Sequence, residues 1–89
     1  MNICFFIGKI ISDVKFNFII SKDKSFKNCK NISIVKFDLI LANKTIINVI
    51  CYDELADFCY SNLKLEDIVF VSGIINEKFE LNSNFCEII

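Results

Sequence analysis

The stretch that decides the fold is Thr45-Ile-Ile-Asn-Val-Ile-Cys-Tyr52, running directly into Asp53-Glu-Leu-Ala-Asp-Phe-Cys-Tyr-Ser-Asn-Leu-Lys64. The first part is rich in β-branched residues, and its side chains fall on two faces with a period of two. Ile46, Asn48, Ile50 and Tyr52 lie on one face, and Ile47, Val49 and Cys51 on the other. At Asp53 the period changes. Leu55, Phe58, Cys59 and Leu63 recur at helical spacing and predict a helix over 53–64 with that stripe toward the core. Asp53 is the expected N-cap, because its carboxylate can accept free N–H groups of the first turn. Glu54 and Lys64 then complement the helix dipole at its two ends.

Working outward, Ala42-Asn43-Lys44 is a tight turn that makes the 45–52 strand half of a hairpin with Ile32–Leu41. In that partner strand Val35, Phe37, Leu39 and Leu41 share one face, while Lys36 and Asp38 point the other way. Residues 21–31 read as a loop carrying Lys22, Lys24, Lys27 and Lys30 around Phe26. Asn2–Ile11 is a strand in which Gly8 marks a bend, and Lys15–Ile20 reads as its continuation. After the helix, Leu65-Glu66-Asp67 is a break, Ile68–Ile75 a strand containing Gly73, residues 76–84 a turn region with Phe79 and Leu81, and Phe85–Ile89 a last strand. The expectation is a single domain over residues 1–89, mainly β. Five strands with one helix between strands 3 and 4 is the order of an oligonucleotide-binding (OB) barrel. A two-sheet sandwich is the alternative, and the lone helix argues against it.

Composition narrows the function. Of 89 residues, 54% are hydrophobic and ten are Phe, more than one small core needs, so a subunit interface and a homo-oligomer are expected. The net charge is −1, from ten Lys against eleven acidic residues. This is not the basic footprint of a strong duplex-DNA binder. Arg, His and Trp are absent; AT-rich codons supply a second explanation for that bias. Without His, neither a Ser/His nor a Cys/His nucleophile pair can be built, and Gly8 and Gly73 stand alone rather than in a phosphate loop, so an enzyme is not expected. Cys4, Cys29, Cys51, Cys59 and Cys86 are odd in number and lack CxxC spacing, which reads as reduced thiols acting as small hydrophobes, with no metal and no cofactor. The first residues lack the basic start and cleavage site of a signal peptide, and no apolar run is long enough for a membrane helix. Neither a membrane nor a small-molecule substrate is expected as a partner.

Several pieces, in order, resemble the single-stranded-DNA-binding (SSB) protein family. They are Asn2-Ile-Cys-Phe-Phe-Ile-Gly-Lys-Ile10, Asp13, Val35-Lys-Phe-Asp-Leu39, Asn48-Val-Ile-Cys-Tyr-Asp-Glu-Leu-Ala-Asp-Phe58, Leu63, Asp67-Ile-Val-Phe-Val-Ser-Gly73 and Glu87-Ile-Ile89. The sequence departs from the bacterial members in its short connection between strands four and five, its lack of tryptophan and the lack of an acidic tail. In its compactness and codon bias it is most similar to the small SSB-like proteins encoded in algal plastid genomes. That resemblance implies a plastid (chloroplast) stroma, with a bacterial cytoplasm as the alternative.

The resemblance implies non-specific binding of single-stranded DNA in an OB groove, protecting it during replication, repair or recombination. The face carrying Asn48 and Tyr52 would look into that groove. Tyr52 stands at a family aromatic position and is the candidate for base stacking; otherwise it caps the barrel beside the helix. Phe79 is read first as an apolar anchor for its turn, as is Phe26 in the lysine loop; by resemblance Phe79 also falls near a family base-stacking aromatic. Lys36, Lys44 and Lys78 are candidate phosphate contacts, or else keep sheet edges soluble. The competing reading is an OB-fold protein-interaction or primosome-type accessory module with weak or no nucleic-acid binding.

Overall fold

The computed structural model describes residues 3–22 and 29–89, with side chains described outside 19–31. Its elements are β1 (Ile3–Ile10), β2 (Lys15–Lys22), β3 (Cys29–Leu41), β4 (Ile46–Tyr52), α1 (Asp53–Asn62), β5 (Ile68–Ile75) and β6 (Glu80–Ile88). The strands order as β1-β5-β6-β4-β3-β2, and β1 also pairs with β3, which closes β1, β5, β6, β4 and β3 into a five-stranded barrel. The helix lies between the third and fourth barrel strands, as the OB order requires.

Closure depends on Gly8. It pairs with Val69 of β5 and also with Leu41 of β3, where β1 passes from one neighbour to a second. A Cβ there would lie 2.7 Å from the Ile40 carbonyl oxygen, so close approach of two backbones explains the glycine. Gly73 does the same at the β5–β6 bulge, where a Cβ would run into the Asn82 carbonyl. Side chains alternate into the barrel, so Ile10, Val35, Leu39, Val49, Val69, Val71 and Leu81 are fully buried, and Ala56, Cys59 and Leu63 of the helix side join the same core.

Several expectations are corrected. Residues 15–20 do not continue β1: they belong to a separate strand, β2, which pairs with β3 from Lys15↔Lys36 to Lys22↔Cys29. The chain turns at Ile11–Val14 instead, where Ser12 Oγ accepts the Asp38 N–H at 2.8 Å and Ile11 N–H donates to the Asp38 carbonyl at 3.0 Å. The 21–31 loop is therefore shorter, since Ser21–Lys22 and Cys29–Asn31 are paired backbone; Lys24, Phe26 and Lys27 lie outside the described residues.

The last strand starts at Glu80, not Phe85. It pairs in parallel with β4 (Asn48↔Glu80, Val49↔Leu81, Ile50↔Asn82) before continuing against β5. Its polar first half hid it, because only Leu81 and Ser83 turn inward, and the buried Ser83 hydroxyl lies 3.0 and 2.9 Å from the Ser72 and Phe85 carbonyls, either of which can accept its proton.

The helix ends at Asn62, so Lys64 is not in its last turn; the Lys64 N–H donates to the Asp67 carboxylate at 2.9 Å. Tyr52, not Asp53, occupies the N-cap, with no side-chain cap bond, and Asp53 adopts φ 54. The buried stripe is Ala56, Cys59 and Leu63, with Leu55 half-buried and Phe58 exposed. Among the described residues no helix is long and apolar enough to cross a membrane.

Candidate nucleic-acid interface

The outer faces of β2, β3, β4 and the first half of β6 form one shallow trough. Inward alternation of Val35, Phe37, Val49, Cys51 and Leu81 forces the intervening residues outward. Ile34 and Ile50 lie outward yet are each only 5% exposed, and they make an apolar floor. Lys15, Asn17 and Lys36 line it toward β2, Asp38 and Asn48 toward Ser12, and Tyr52, Lys78, Glu80 and Asn82 on the remaining sides. Lys36, Ile50 and Glu80 are common to its two main depressions, so they are continuous.

The sequence-derived residues are placed unequally. Lys36, Asn48, Tyr52 and Lys78 all border this trough. The Tyr52 ring is 41% exposed at its lip, at the junction of β4 and α1, and does not close the barrel core. Lys44 does not join them. It sits in the β3–β4 turn at φ 68, at the opposite end of the hairpin from Tyr52, roughly 25 Å away at ~3.3 Å per residue.

Phe79 is not an anchor. It is 81% exposed at the tip of the β5–β6 turn and holds φ 60, a left-handed conformation that a bulky residue rarely adopts. Asn76 fixes that turn: its Oδ1 accepts the Lys78 and Glu80 N–H groups at 2.9 and 3.0 Å, and its carbonyl accepts the Phe79 N–H at 3.1 Å.

Lys15 was not anticipated, because its position depends on β2 being a strand of its own; the alternation Lys15-Phe-Asn-Phe was the available signal. Asn82 was also missed. Its Oδ1 is buried beside the trough with no hydrogen-bond partner among the described residues.

The electrostatics are mixed. Lys15, Lys36 and Lys78 share the trough with Asp13, Asp38, Glu77 and Glu80, and on its far side Tyr52 borders a second depression lined by Ser33, Asp53, Glu54 and Asp57. Among the described residues no group of His, Cys, Asp and Glu is arranged to hold a metal ion. The trough offers stacking, apolar contact and point charges, which is the chemistry of binding.

No protein-family model matches this chain, and no curated protein matches it. Among solved structures it is similar to the crystal structure of the SSB domain of a protein from Synechococcus sp., with a TM-score of 0.70 at 15% sequence identity, over 98% of this chain and 94% of that one. The likeness is one of fold and spans the whole barrel.

Proposed function

We propose that this domain binds single-stranded DNA, without sequence preference, along the trough between Lys15 and Lys78, and so protects exposed strands during replication, repair or recombination. One observation carries the reading: a solvent-exposed Tyr52 ring stands at the lip of an apolar floor that is flanked by lysines. Bases stack on such rings whatever their identity, because every base has a π-face. The flanking Lys15, Lys36 and Lys78 would follow the phosphates, with Asn48 and Phe79 as further contacts. The SSB-domain fold supports the same reading.

Few cations face the trough, so the salt dependence should be shallow. Neutralising two or three phosphates on a single strand gives a slope of log K against log salt of about −1.4 to −2. The test is a fluorescence titration with labelled oligo-dT at two salt concentrations, with the same duplex as competitor. Saturable binding that prefers the single strand supports the proposal; no binding at low salt overturns it.

A second reading is favoured by the carboxylates. Asp13, Asp38, Glu77 and Glu80 alternate with the lysines, a pattern that suits a protein segment better than a polyanion. In that reading the domain is a partner-binding or primosome-type module, and the titration separates the two. The proposal includes self-association. It also includes a plastid stroma as the compartment, with a bacterial cytoplasm as the alternative; this rests on codon composition.

A further inference from the structure

We infer that a second groove, between the inner side of the β2–β3 ladder and the flank of α1, holds a short basic segment of a partner protein. Alternation turns Phe16, Phe18, Ser33 and Val35 away from the trough lysines and toward α1, which packs on β3 and touches β2. Val35 is buried there. The two strands run on past the barrel, however, because the pairing of β3 with β4 stops at Ile34↔Tyr52. Phe18 and its cross-strand partner Ser33 lie beyond that point, and Phe18 is 61% exposed.

On the helix, Asp53, Asp57 and Tyr60 fall at i, i+4 and i+7, so they share one stripe, and all three are exposed. The Tyr60 ring, 57% exposed, lies 4.8 Å from Phe16, and Phe16 meets Phe18 edge-on at 4.9 Å. Ser33, Tyr52, Asp53, Glu54, Leu55 and Asp57 line one depression. Ser33 pairs with Phe18, and Asp57 is one helical turn from Tyr60, so this depression and the exposed rings make a single groove. Tyr52 is the rim it shares with the trough, which lies on the other side of the ladder.

Size and charge identify the occupant. At about 200 Å² for each large side chain, the exposed parts of Phe18 and Tyr60 present roughly 250 Å² of apolar surface. A folded partner covers about 800 Å², so a short segment fits and a domain does not. The helix carries Asp53, Glu54 and Asp57 and no basic residue. Asp53 and Glu54 complement the helix dipole, but Asp57 stands in the second turn, beyond the reach of that effect. A guanidinium laid on the Tyr60 face, within about 6 Å of the ring centre, also reaches Asp57, about 5–6 Å away along the helix. Asp53 lies roughly 10 Å from Tyr60 at ~1.5 Å per residue, the span of about three extended residues. The segment therefore carries two cationic residues three positions apart, with an apolar residue between them on Phe18. A nucleic-acid strand or an anionic lipid surface is repelled here. The inference does not depend on what the trough binds.

An amide-shift NMR titration of the labelled protein with the peptide Gly-Arg-Leu-Ala-Arg-Gly tests this. Saturable shifts are expected at Phe18, Ser33, Asp57 and Tyr60, unchanged by saturating oligo-dT, and none with the peptide in which Glu replaces Arg. Asp57→Lys should weaken binding at least tenfold through like-charge repulsion. Tyr60→Ala should weaken it about two- to fivefold, the share of one exposed cation–π contact, and Tyr60→Phe should retain it. All three positions are exposed, and circular dichroism checks that the fold is kept. Glu66→Lys makes the same change of charge outside the groove and should leave affinity as it is. No binding, shifts confined to other residues, or equal loss in Asp57→Lys and Glu66→Lys overturns the inference. So does binding that appears only when Lys24→Ser and Lys27→Ser are combined, since the chain's own lysines would then be the occupant.

Discussion

Lys15 and Lys36 stand directly opposite each other across the β2–β3 ladder, both exposed and both on the trough face. Like charges so paired destabilise a sheet by some tenths of a kcal/mol. An anion lying between them would reverse the sign of that contribution, so under the proposed function the pair would seat one phosphate.

Replacing either lysine by alanine should therefore act in opposite directions on stability and binding. Lys36→Ala is expected to raise the unfolding free energy in urea slightly, by about 0.2–1 kcal/mol at most. It should also weaken oligo-dT binding and lower the magnitude of the salt slope by about 0.7, the share of one neutralised phosphate on a single strand. Lys44→Ala, at the far end of the hairpin, serves as the control and should leave both unchanged. Equal effects of the two substitutions on the salt slope would indicate attraction by overall charge instead of by this trough.

Tyr52→Ala removes the ring at the lip. Its side chain is outward and exposed, so the fold should persist. Affinity for oligo-dT should fall by about 1–3 kcal/mol, the usual worth of one stacked base. Tyr52→Phe should retain most of it, since stacking needs the ring and not the hydroxyl. Unchanged affinity in the alanine variant removes Tyr52 from the site.

The central hairpin and helix were legible because the barrel buries one side of each element. Val35, Phe37 and Leu39 of β3 and Val49 and Cys51 of β4 are buried as their period demands, and the same period put Lys36, Asn48 and Tyr52 on the outer face. What escaped depends on interactions between residues remote in the chain. The turn before β2 is held by Ser12 against Asp38, 26 residues away, and nothing local announces it. Glu80-Leu-Asn-Ser-Asn84 looks like a turn by composition, yet Ser83 can be buried because the fold sets two carbonyls within reach of its hydroxyl. Asp53 stands at φ 54 inside the helix start rather than at its cap, and Ala56, not Phe58, packs in the core. The site inherits these misses: without β2 there is no Lys15, and without the early start of β6 there is no Asn82.

Phe79 combines an exposed ring with a left-handed backbone, a conformation that costs of order 1–3 kcal/mol for such a residue. Phe79→Gly relieves that strain and removes little packing. It should raise the melting temperature and, if the ring contacts a base, weaken oligo-dT binding at the same time. A rise in stability with unchanged affinity would assign the ring to some other partner; a fall in stability would show that the turn relies on packing of the ring.

Three thiols meet in the barrel core. Cys59 Sγ lies 3.6 Å from Cys51 Sγ, and its hydrogen bond to Cys51, with burial, pushes the Cys59 thiol from 9.0 up to about 12. Cys86 is pushed up as well, by its hydrogen bond with Cys59 and by burial. Both thiols stay neutral in the folded state at a pH where the unfolded chain ionises them. The unfolded state then binds fewer protons, so stability is fully present below about pH 9 and falls as pH rises above it toward the folded values. The fall approaches about 1.4 kcal/mol per pH unit for each group. Urea unfolding at pH 7, 9 and 10 should show a flat segment followed by this decline, and Cys59→Ala should flatten the decline. Thiol-labelling reagents at pH 8 should modify Cys59 and Cys86 only at the rate of unfolding. Rapid labelling of Cys59 in the folded protein would mean that this part of the core opens to solvent, and would remove the cause of the expected pH slope.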